Sequence, residues 1–104
     1  MRVFKFGGAS VKDAEGIKNV YDVLQKVGYE DVLLVVSAMG KTTNALEEVI
    51  KNYFEKSEEL NSSVQEVKKY HNQILLDLFE DEKNEVFAAV NSLFSELEYF
   101  LAHN

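Results

Sequence analysis

Apolar residues recur with two different periods along this chain, and the change of period predicts its elements. Residues 2–6 and 31–36 have strand length, with apolar residues at Val3, Phe4 and Phe6 in the first and at every position of 32–36 in the second. The second run is apolar at successive positions, which is typical of a central parallel strand with both faces covered. Between the runs, the apolar residues repeat at the i, i+3, i+4, i+7 spacing of a helix: Ile17, Val20, Tyr21 and Leu24. The first 36 residues therefore predict a strand–helix–strand unit with parallel strands and a right-handed crossover.

Local signals mark the ends of the predicted helix. The pattern predicts a helix over residues 11–27, with Asp13 as its N-cap and Gly28 as the residue that ends it. Because the two strands run parallel, their carboxyl ends meet at one edge of the sheet. Ligands of open α/β sheets bind at that edge.

From residue 45 onward the apolar positions keep a helical period. Breaks are expected near residues 60–63 and 80–83, with Ser62 and Asp81 as N-caps. All five glycines lie in the first 40 residues and the chain has no proline, which favours an almost wholly helical remainder. The apolar residues form three stripes: Ala45, Leu46, Val49, Ile50, Tyr53 and Phe54; Val64, Val67, His71, Ile74, Leu75 and Leu78; Val86, Val90, Leu93, Phe94, Leu97, Phe100 and Leu101. We therefore divide the chain into a βαβ unit, residues 1–44, and a segment of about three helices, residues 45–104.

The first strand runs directly into two glycines. After such a strand, Gly7 and Gly8 leave backbone N–H groups free to bind an anion, with the positive end of a helix behind them. Lys5 stands two residues earlier, where its ammonium group can reach a phosphate. An ordinary strand-to-helix turn explains the same spacing equally well.

The second strand ends in a hydroxyl-rich segment, residues 37–44, at the same predicted edge. Its Gly40-Lys41-Thr42 resembles the end of a P-loop, but the first glycine of that motif would fall at Val35, inside the strand. Thr43 or Asn44 can instead cap the next helix. Capping and ligand binding can coexist in one segment, so both interpretations stay open.

Charge and composition exclude several classes of partner. The 104-residue chain has a net charge of −7: residues 1–44 hold six Lys/Arg and five Asp/Glu, and residues 45–104 hold five and thirteen. An acidic surface repels a polyanion, so we expect no nucleic-acid partner. No apolar run approaches the ~20 residues of a membrane span, and the first residues lack a signal-peptide pattern, so we expect no membrane association and a cytoplasmic location. With no cysteine, disulfides, thiolate metal sites and cysteine nucleophiles are excluded.

The remaining candidate residues have structural explanations. His71 lies on an apolar stripe and is expected to pack there rather than bind a ligand. His103 is expected to be disordered at the chain terminus. The carboxylates of residues 80–82 are expected to be solvated in a turn, because no histidine or further carboxylate has matching metal-ligand spacing. We therefore expect no metal site.

Two segments together resemble the aspartokinases. Residues 5–11 read Lys-Phe-Gly-Gly-Ala-Ser-Val and are similar to the family signature Lys-Phe-Gly-Gly-Thr-Ser-Val. Residues 35–44 read Val-Val-Ser-Ala-Met-Gly-Lys-Thr-Thr-Asn and resemble the second family motif, a strand followed by Ser-Ala and ending in Thr-Asn. Ala9 departs from the usual threonine and removes one hydroxyl from the first motif. The resemblance covers the whole chain, but only its first 44 residues are specific.

The resemblance implies a partial amino acid kinase fold of the α/β class. It implies transfer of the γ-phosphoryl group of ATP, which carries Mg²⁺, to the side-chain carboxylate of L-aspartate. The product is 4-phospho-L-aspartate, used in lysine, threonine and methionine synthesis. The residues carried over by position fall into two groups: Lys5, Gly7, Gly8 and Ser10 for the ATP phosphates, and Ser37 and Thr43 for aspartate. Lys5 would also be catalytic, because it would neutralise the phosphoryl group in transfer.

The resemblance also bears on activity and assembly. Aspartokinases are several times longer, and their catalytic glutamate, aspartate-binding arginine, nucleotide-binding loops and ACT domains lie further along the family sequence. We therefore expect this chain to match the N-terminal part of a kinase domain and to be inactive alone. Two strands make a poor sheet, and its open faces and edges predict a homo-oligomer.

Two alternatives to an aspartokinase stay open. One is a sibling kinase that acts on acetylglutamate or on glutamate, as glutamate 5-kinase does. The other is a non-catalytic helical interaction module.

Overall fold

The computed structural model describes residues 1–79 and 84–103. Within these residues, two strands and four helices follow one another along the chain. The chain divides into two compact units, Met1–Thr43 and Asn44–Asn104, each with its own packing.

The first unit is the strand–helix–strand arrangement that the apolar pattern predicts. Strand β1 (Arg2–Phe6) and strand β2 (Val32–Val36) pair in parallel, with Arg2 opposite Val32 and Phe6 opposite Val36. Between them lies helix α1 (Ala14–Val27). The βαβ prediction is confirmed, although β2 begins one residue later than expected.

Both predicted caps of α1 are confirmed. The Asp13 carboxylate accepts a hydrogen bond from the backbone N–H of Gly16 at 2.9 Å, and Gly28 ends the helix with a φ of 84°. The helix starts at Ala14 rather than Val11, because the residues before Asp13 are held in turns. The Arg2 guanidinium donates to the carbonyl of Val27 at 2.8 Å, which ties the end of α1 to the start of β1.

The two faces of the sheet differ in exposure only along β1, because Leu34 and Val36, on the same face as Phe4 and Phe6, are 41% and 57% exposed. Arg2, Phe4 and Phe6 share the face on which Arg2 reaches α1, and both phenylalanines are half-buried. The opposite face is open, and its apolar side chains are 60%, 49% and 44% exposed at Val3, Leu33 and Val35. The expectation that β2 is covered on both faces is therefore wrong in this structure. Within the described residues, the only strand paired with β2 is β1.

The second unit is helical, as predicted. Helix α2 (Thr42–Phe54) begins with the last two residues of the first unit. The second unit contains the rest of α2, helix α3 (Leu60–Leu78) and helix α4 (Glu85–His103). One core joins the three helices: Val49, Val64, Val67 and Phe94 at the centre, with Ala45, Leu60, Val90, Leu97 and Leu101 around them. Each predicted apolar stripe contributes to it, and Leu60, which the sequence placed in a helix break, packs there as well. In the described part of the chain, no helix is long and apolar enough to cross a membrane.

The first helix break lies earlier than expected. Helix α2 ends at Phe54 and α3 begins at Leu60, so Ser62 lies inside α3 and is not its N-cap. Glu59 holds the cap position without a side-chain hydrogen bond. The turn before it is instead closed by Ser57, whose hydroxyl accepts from the N–H of Glu59 at 3.0 Å.

The second break falls partly on residues 80–83. The proposed Asp81 cap and the carboxylates of residues 80–82 lie outside the described residues. Asn84, the first described residue after this gap, accepts a hydrogen bond from the N–H of Val86 at 3.0 Å and so caps α4.

Both histidines lie in helices. His71 bonds the Val67 carbonyl through Nδ1 at 2.8 Å, and its ring meets the Phe94 ring edge to face at 5.8 Å. His103 is not disordered as expected. It lies in the last turn of α4, where its ring stacks on Tyr99 with centroids 4.1 Å apart.

Candidate phosphate and substrate loops

Two loops leave the carboxyl ends of the paired strands. The glycine loop (residues 7–12) follows β1, and the second loop (residues 37–41) follows β2. The N–H of Ser37 continues the sheet by donating to the Phe6 carbonyl at 3.0 Å. Beyond it, the N–H of Gly40 donates to the carbonyl of Gly8 at 3.1 Å. The two loops are therefore hydrogen-bonded neighbours at one edge of the sheet.

The two glycines of the first loop have different roles. A Cβ on Gly8 would lie 2.9 Å from the Gly40 carbonyl oxygen and 3.2 Å from that of Ala38. A Cβ on Gly7 would meet no atom within 4 Å, so this position faces open space. Neither residue has a positive φ, in contrast to Gly40 with a φ of 52°. Gly8 therefore lets the loops touch, and Gly7 leaves room for an approaching group.

The backbone of the glycine loop leaves three consecutive donors unused. The N–H groups of Ser10 and Val11 are bonded to the carbonyls of Gly7 and Gly8 at 3.0 and 3.3 Å. Among the described residues, no acceptor is bonded to the N–H groups of Gly7, Gly8 or Ala9. The Val11 side chain is 4% exposed and anchors the end of the loop. Adjacent unpaired amides on an anchored turn are a common means of anion binding.

Helix α1 contributes less positive charge to this loop than the sequence predicted. The Asp13 carboxylate occupies its N-terminus, and Glu15 lies in its first turn. Both carboxylates offset the positive end of the helix dipole. The first turn of α2, which begins directly after the second loop, contains no acidic residue.

The two strand–loop segments are free of carboxylates. Residues 1–12 and 32–46 contain four Lys/Arg residues and no Asp or Glu, although the whole chain has a net charge of −7. Lys5 is exposed on the open face of the sheet, opposite Val35 in the register. It forms no ion pair within the described residues. Arg2 lies at the amino end of β1 and is bonded to Val27, so Lys5, Lys12 and Lys41 are the cations of these segments near the loops. The Asp13 and Glu15 carboxylates at the start of α1 offset part of their charge.

Hydroxyl groups of the second loop divide into structural and exposed ones. Thr42 is 8% exposed, and its N–H and hydroxyl both donate to the Met39 carbonyl, which closes the loop. Ser37 and Thr43 are exposed, as is Ser10 of the glycine loop. Thr43 and Asn44 lie inside α2, so neither caps it as expected. Sequence reasoning missed Thr42, because adjacent threonines give no signal of which one is buried.

The predicted site residues are thus brought to one region only in part. Hydrogen bonds place Gly7, Gly8 and Ser10 beside the loop that starts with Ser37. Lys5 lies in the strand before the glycine loop, and Thr43 lies in the helix after the second loop. No group of three or more His, Cys, Asp or Glu side chains able to hold a metal ion occurs in the described residues.

Comparison with known proteins relates this chain to aspartokinases. The chain is 52% identical over 44 residues to aspartokinase 1, chloroplastic, of Arabidopsis thaliana, a match that covers 42% of this chain and 8% of that protein. It is 49% identical over 51 residues to an aspartokinase of Bacillus sp. (strain MGA3), covering 47% and 12%. It is 33% identical over 100 residues to bifunctional aspartokinase/homoserine dehydrogenase 1, chloroplastic, of Arabidopsis thaliana, covering 95% and 11%.

The chain therefore spans about a tenth of the length of the curated relatives it matches. The two matches of highest identity among these are 44 and 51 residues long, and the third covers 100 residues at lower identity. A family model extends the match to residues 1–100, which include the three helices of the second unit. On that match, the chain belongs to the amino acid kinase family.

Proposed function

We propose that this chain supplies the phosphate loop and part of the substrate loop of an aspartate kinase. The reaction is transfer of the γ-phosphoryl group of ATP to the side-chain carboxylate of L-aspartate. A carboxylate oxygen attacks the γ-phosphorus, the bond from that phosphorus to the β–γ bridging oxygen breaks, and ADP leaves. The product, 4-phospho-L-aspartate, serves lysine, threonine and methionine synthesis.

The proposal rests on the contact between the two loops. The Gly40–Gly8 hydrogen bond holds the two loops side by side, and the three amides of the glycine loop that have no acceptor among the described residues lie at the same place. Phosphoryl transfer depends on positioning and charge neutralisation more than on covalent chemistry by the protein. The free amides of the glycine loop supply positioning, and the exposed Lys5 ammonium supplies charge neutralisation.

The residues have distinct roles in the proposal. The N–H groups of Gly7 and Gly8 donate to phosphate oxygens, and the Ser10 hydroxyl adds a further donor. The Lys5 ammonium neutralises charge on the phosphoryl group during transfer. Ser37 and Thr43 hold aspartate from the second loop and the start of α2.

The described residues do not fit a protein site for Mg²⁺. Mg²⁺ prefers carboxylate and other oxygen ligands in octahedral arrangement, and the described residues contain no group of three or more His, Cys, Asp or Glu side chains that could hold a metal ion. We assign Mg²⁺ to the phosphates of the bound ATP, and no role of a residue above depends on it. The cytoplasmic location expected from the sequence stays a prediction, which fractionation of cells expressing a tagged copy would test.

Self-association belongs to the same proposal. The open face of the sheet exposes Val3, Leu33 and Val35, and both strands have an unpaired outer edge within the described residues. Apolar faces and free edges of this kind pair with further chains. We propose that copies of this chain associate through the sheet.

Titration calorimetry with Mg-ATP tests the proposed phosphate site. We expect weak binding by the chain, and a loss of about tenfold in affinity for Lys5→Met, the scale of one charge-assisted hydrogen bond. Lys26→Met is the matched control, because Lys26 is exposed in the last turn of α1, at the opposite end of the helix from the glycine loop, and its removal changes the net charge equally. Binding that is absent in the unmodified chain, or equal in both variants, would contradict the phosphate site.

Competition among amino acids separates aspartate from the sibling substrates. With Mg-ATP present, L-aspartate should bind more tightly than L-glutamate or N-acetyl-L-glutamate. The preference should be lost in Thr43→Val, which keeps the shape of the residue and removes its hydroxyl. A preference for glutamate or acetylglutamate would assign the chain to a sibling kinase instead.

A further inference from the structure

The peptide unit between Gly8 and Ala9 is held on its carbonyl side. Its oxygen accepts hydrogen bonds from the N–H of Gly40 at 3.1 Å and from the N–H of Val11 at 3.3 Å. Because a trans peptide unit is planar, the Ala9 N–H points in the opposite direction from this oxygen. The two bonds therefore fix the direction of the Ala9 N–H without occupying it, and Ala9 itself is exposed to an approaching ligand.

The Ala9 amide differs from the two unpaired amides that precede it. The N–H of Gly7 belongs to a peptide unit whose carbonyl accepts from Ser37, and the N–H of Gly8 to one whose carbonyl accepts from Ser10, each at 3.0 Å. In the described part of the chain each of those carbonyls has one such donor, whereas the carbonyl in the same peptide unit as the Ala9 N–H has two. A hydrogen bond to a carbonyl polarises its peptide unit and strengthens the N–H at the other end. We therefore expect the Ala9 N–H to be the strongest donor of the three.

Of the two donors to this carbonyl, Gly40 is the one that belongs to the second loop. It has a φ of 52°, in the left-handed region that favours glycine. The turn around it is closed by Thr42, whose N–H and hydroxyl both donate to the Met39 carbonyl and whose side chain is buried. The conformation of the second loop therefore determines where the Gly40 N–H points.

We propose that the Ala9 N–H is a further phosphate donor and that Gly40 is its positioning residue. The Gly40 N–H holds the Gly8 carbonyl, which directs and strengthens the Ala9 N–H for a phosphate oxygen. The side chain of residue 9 takes no part in this contact, so an alanine there serves it as well as a larger residue would. This donor belongs to the phosphate site proposed above and rests on that proposal, to which it adds a dependence on the conformation of the second loop.

Titration of inorganic pyrophosphate into the ¹⁵N-labelled full chain, at constant pH and ionic strength, tests this pair of residues. The amide proton of Ala9 should move downfield, because it donates to the anion. The amide proton of Gly40 should move downfield in parallel without touching the anion, because the Gly8 carbonyl becomes a stronger acceptor when the other end of its peptide unit is bonded. The amide proton of Thr42, which donates to a different carbonyl of the second loop, is the internal control and should not move.

Two negative results have different meanings. If pyrophosphate shifts none of the amides of Gly7, Gly8 and Ala9, the phosphate site itself is contradicted, and this donor with it. If it shifts Gly7 and Gly8 but not Ala9, or Ala9 without Gly40, the phosphate site is retained and the role of Ala9 with Gly40 is overturned.

Two substitutions at Gly40 separate positioning from a general effect of a side chain. Gly40→Asn keeps the left-handed conformation, which Asn adopts readily, whereas the β-branched residue in Gly40→Val disfavours it. Pyrophosphate affinity should therefore stay close to that of the unmodified chain in the first variant and fall about fivefold in the second, the scale of one hydrogen bond. Equal affinities in the two folded variants would overturn the role of Gly40. If Gly40→Val does not fold, the parallel shifts of Ala9 and Gly40 in the unmodified chain decide the question alone.

Discussion

The backbone N–H of Gly40 donates to the carbonyl of Gly8 across 3.1 Å, and this bond holds together two loops that follow different strands. The contact depends on the missing side chain of Gly8, since a Cβ there would lie 2.9 Å from the Gly40 oxygen. Gly40 meets it with a φ of 52°, a conformation that side chains disfavour. Both glycines are therefore needed for the contact between the two loops, whether or not a ligand binds there.

Alanine at Gly8 should therefore destabilise the chain. The new methyl group would press on two carbonyl groups of the second loop, and overpacking of this kind costs about 1–3 kcal/mol. Urea unfolding followed by far-UV circular dichroism measures the change. Unaltered stability of Gly8→Ala would mean that the loops do not touch in solution.

Gly7→Ala is the matched control and carries its own expectation. Its Cβ meets no atom within 4 Å, so the free energy of unfolding should change by less than about 0.5 kcal/mol, as at other uncrowded surface sites. Affinity for Mg-ATP should nevertheless fall, because the methyl group occupies the space that a phosphate would enter. A Gly7→Ala variant with normal ATP affinity would place the phosphate elsewhere.

Asp13 has two effects that one substitution can separate. Its carboxylate caps α1 through Gly16 and also places negative charge at the end of the helix beside the glycine loop. Asn is an equally good cap without the charge, so Asp13→Asn should keep the stability and tighten Mg-ATP binding about two- to fivefold, the scale of a charge at a helix end. The same change at Asp22, within α1, is the control and should leave the affinity unchanged. A weaker affinity in Asp13→Asn would show that the carboxylate assists binding.

The elements with local signals could be predicted from the sequence. Strand β1, the Asp13 cap and the Gly28 end of α1 depend on residues within a few positions of each other, and the structure confirms them. The first helix break was misplaced because Ser62 and Ser57 are both good cap-forming residues. The structure uses Ser57. Its hydroxyl closes the turn before α3, and the serine pattern alone does not reveal which residue does so.

The sequence pattern could not predict features that depend on contacts between distant parts of the chain. Five consecutive apolar residues gave β2 the pattern of a covered strand, but coverage depends on neighbours, and Leu33 and Val35 are exposed here. The burial of Thr42 likewise follows from loop closure onto Met39 rather than from helix propensity. For the candidate site, the residues could be named, but the Gly40–Gly8 bond and the separate roles of the two glycines required the structure.

Polar substitutions on the open sheet face should reduce self-association. Leu33→Thr with Val35→Thr keeps strand propensity while removing exposed apolar surface, so the melting temperature should change little. Analytical ultracentrifugation should show a shift toward monomer relative to the unmodified chain. Leu93→Ser is the control, because Leu93 is 65% exposed on α4 and belongs to the second unit rather than to the sheet. An equal shift toward monomer in that control would point to general loss of apolar surface instead of association through the sheet.

Two adjacent residues of α4 test the core of the second unit. Phe94 is 9% exposed and packs with Val49, Val64 and Val67, whereas Leu93 is 65% exposed. Phe94→Ala should cost about 3–5 kcal/mol, because it removes a buried ring and leaves a cavity. This loss is a large part of the stability of a small domain, so the variant should lose cooperative unfolding near room temperature. Leu93→Ala should stay within about 0.5 kcal/mol of the parent chain in the same urea titration. If the two substitutions cost the same, the helices do not share the core that joins α2, α3 and α4.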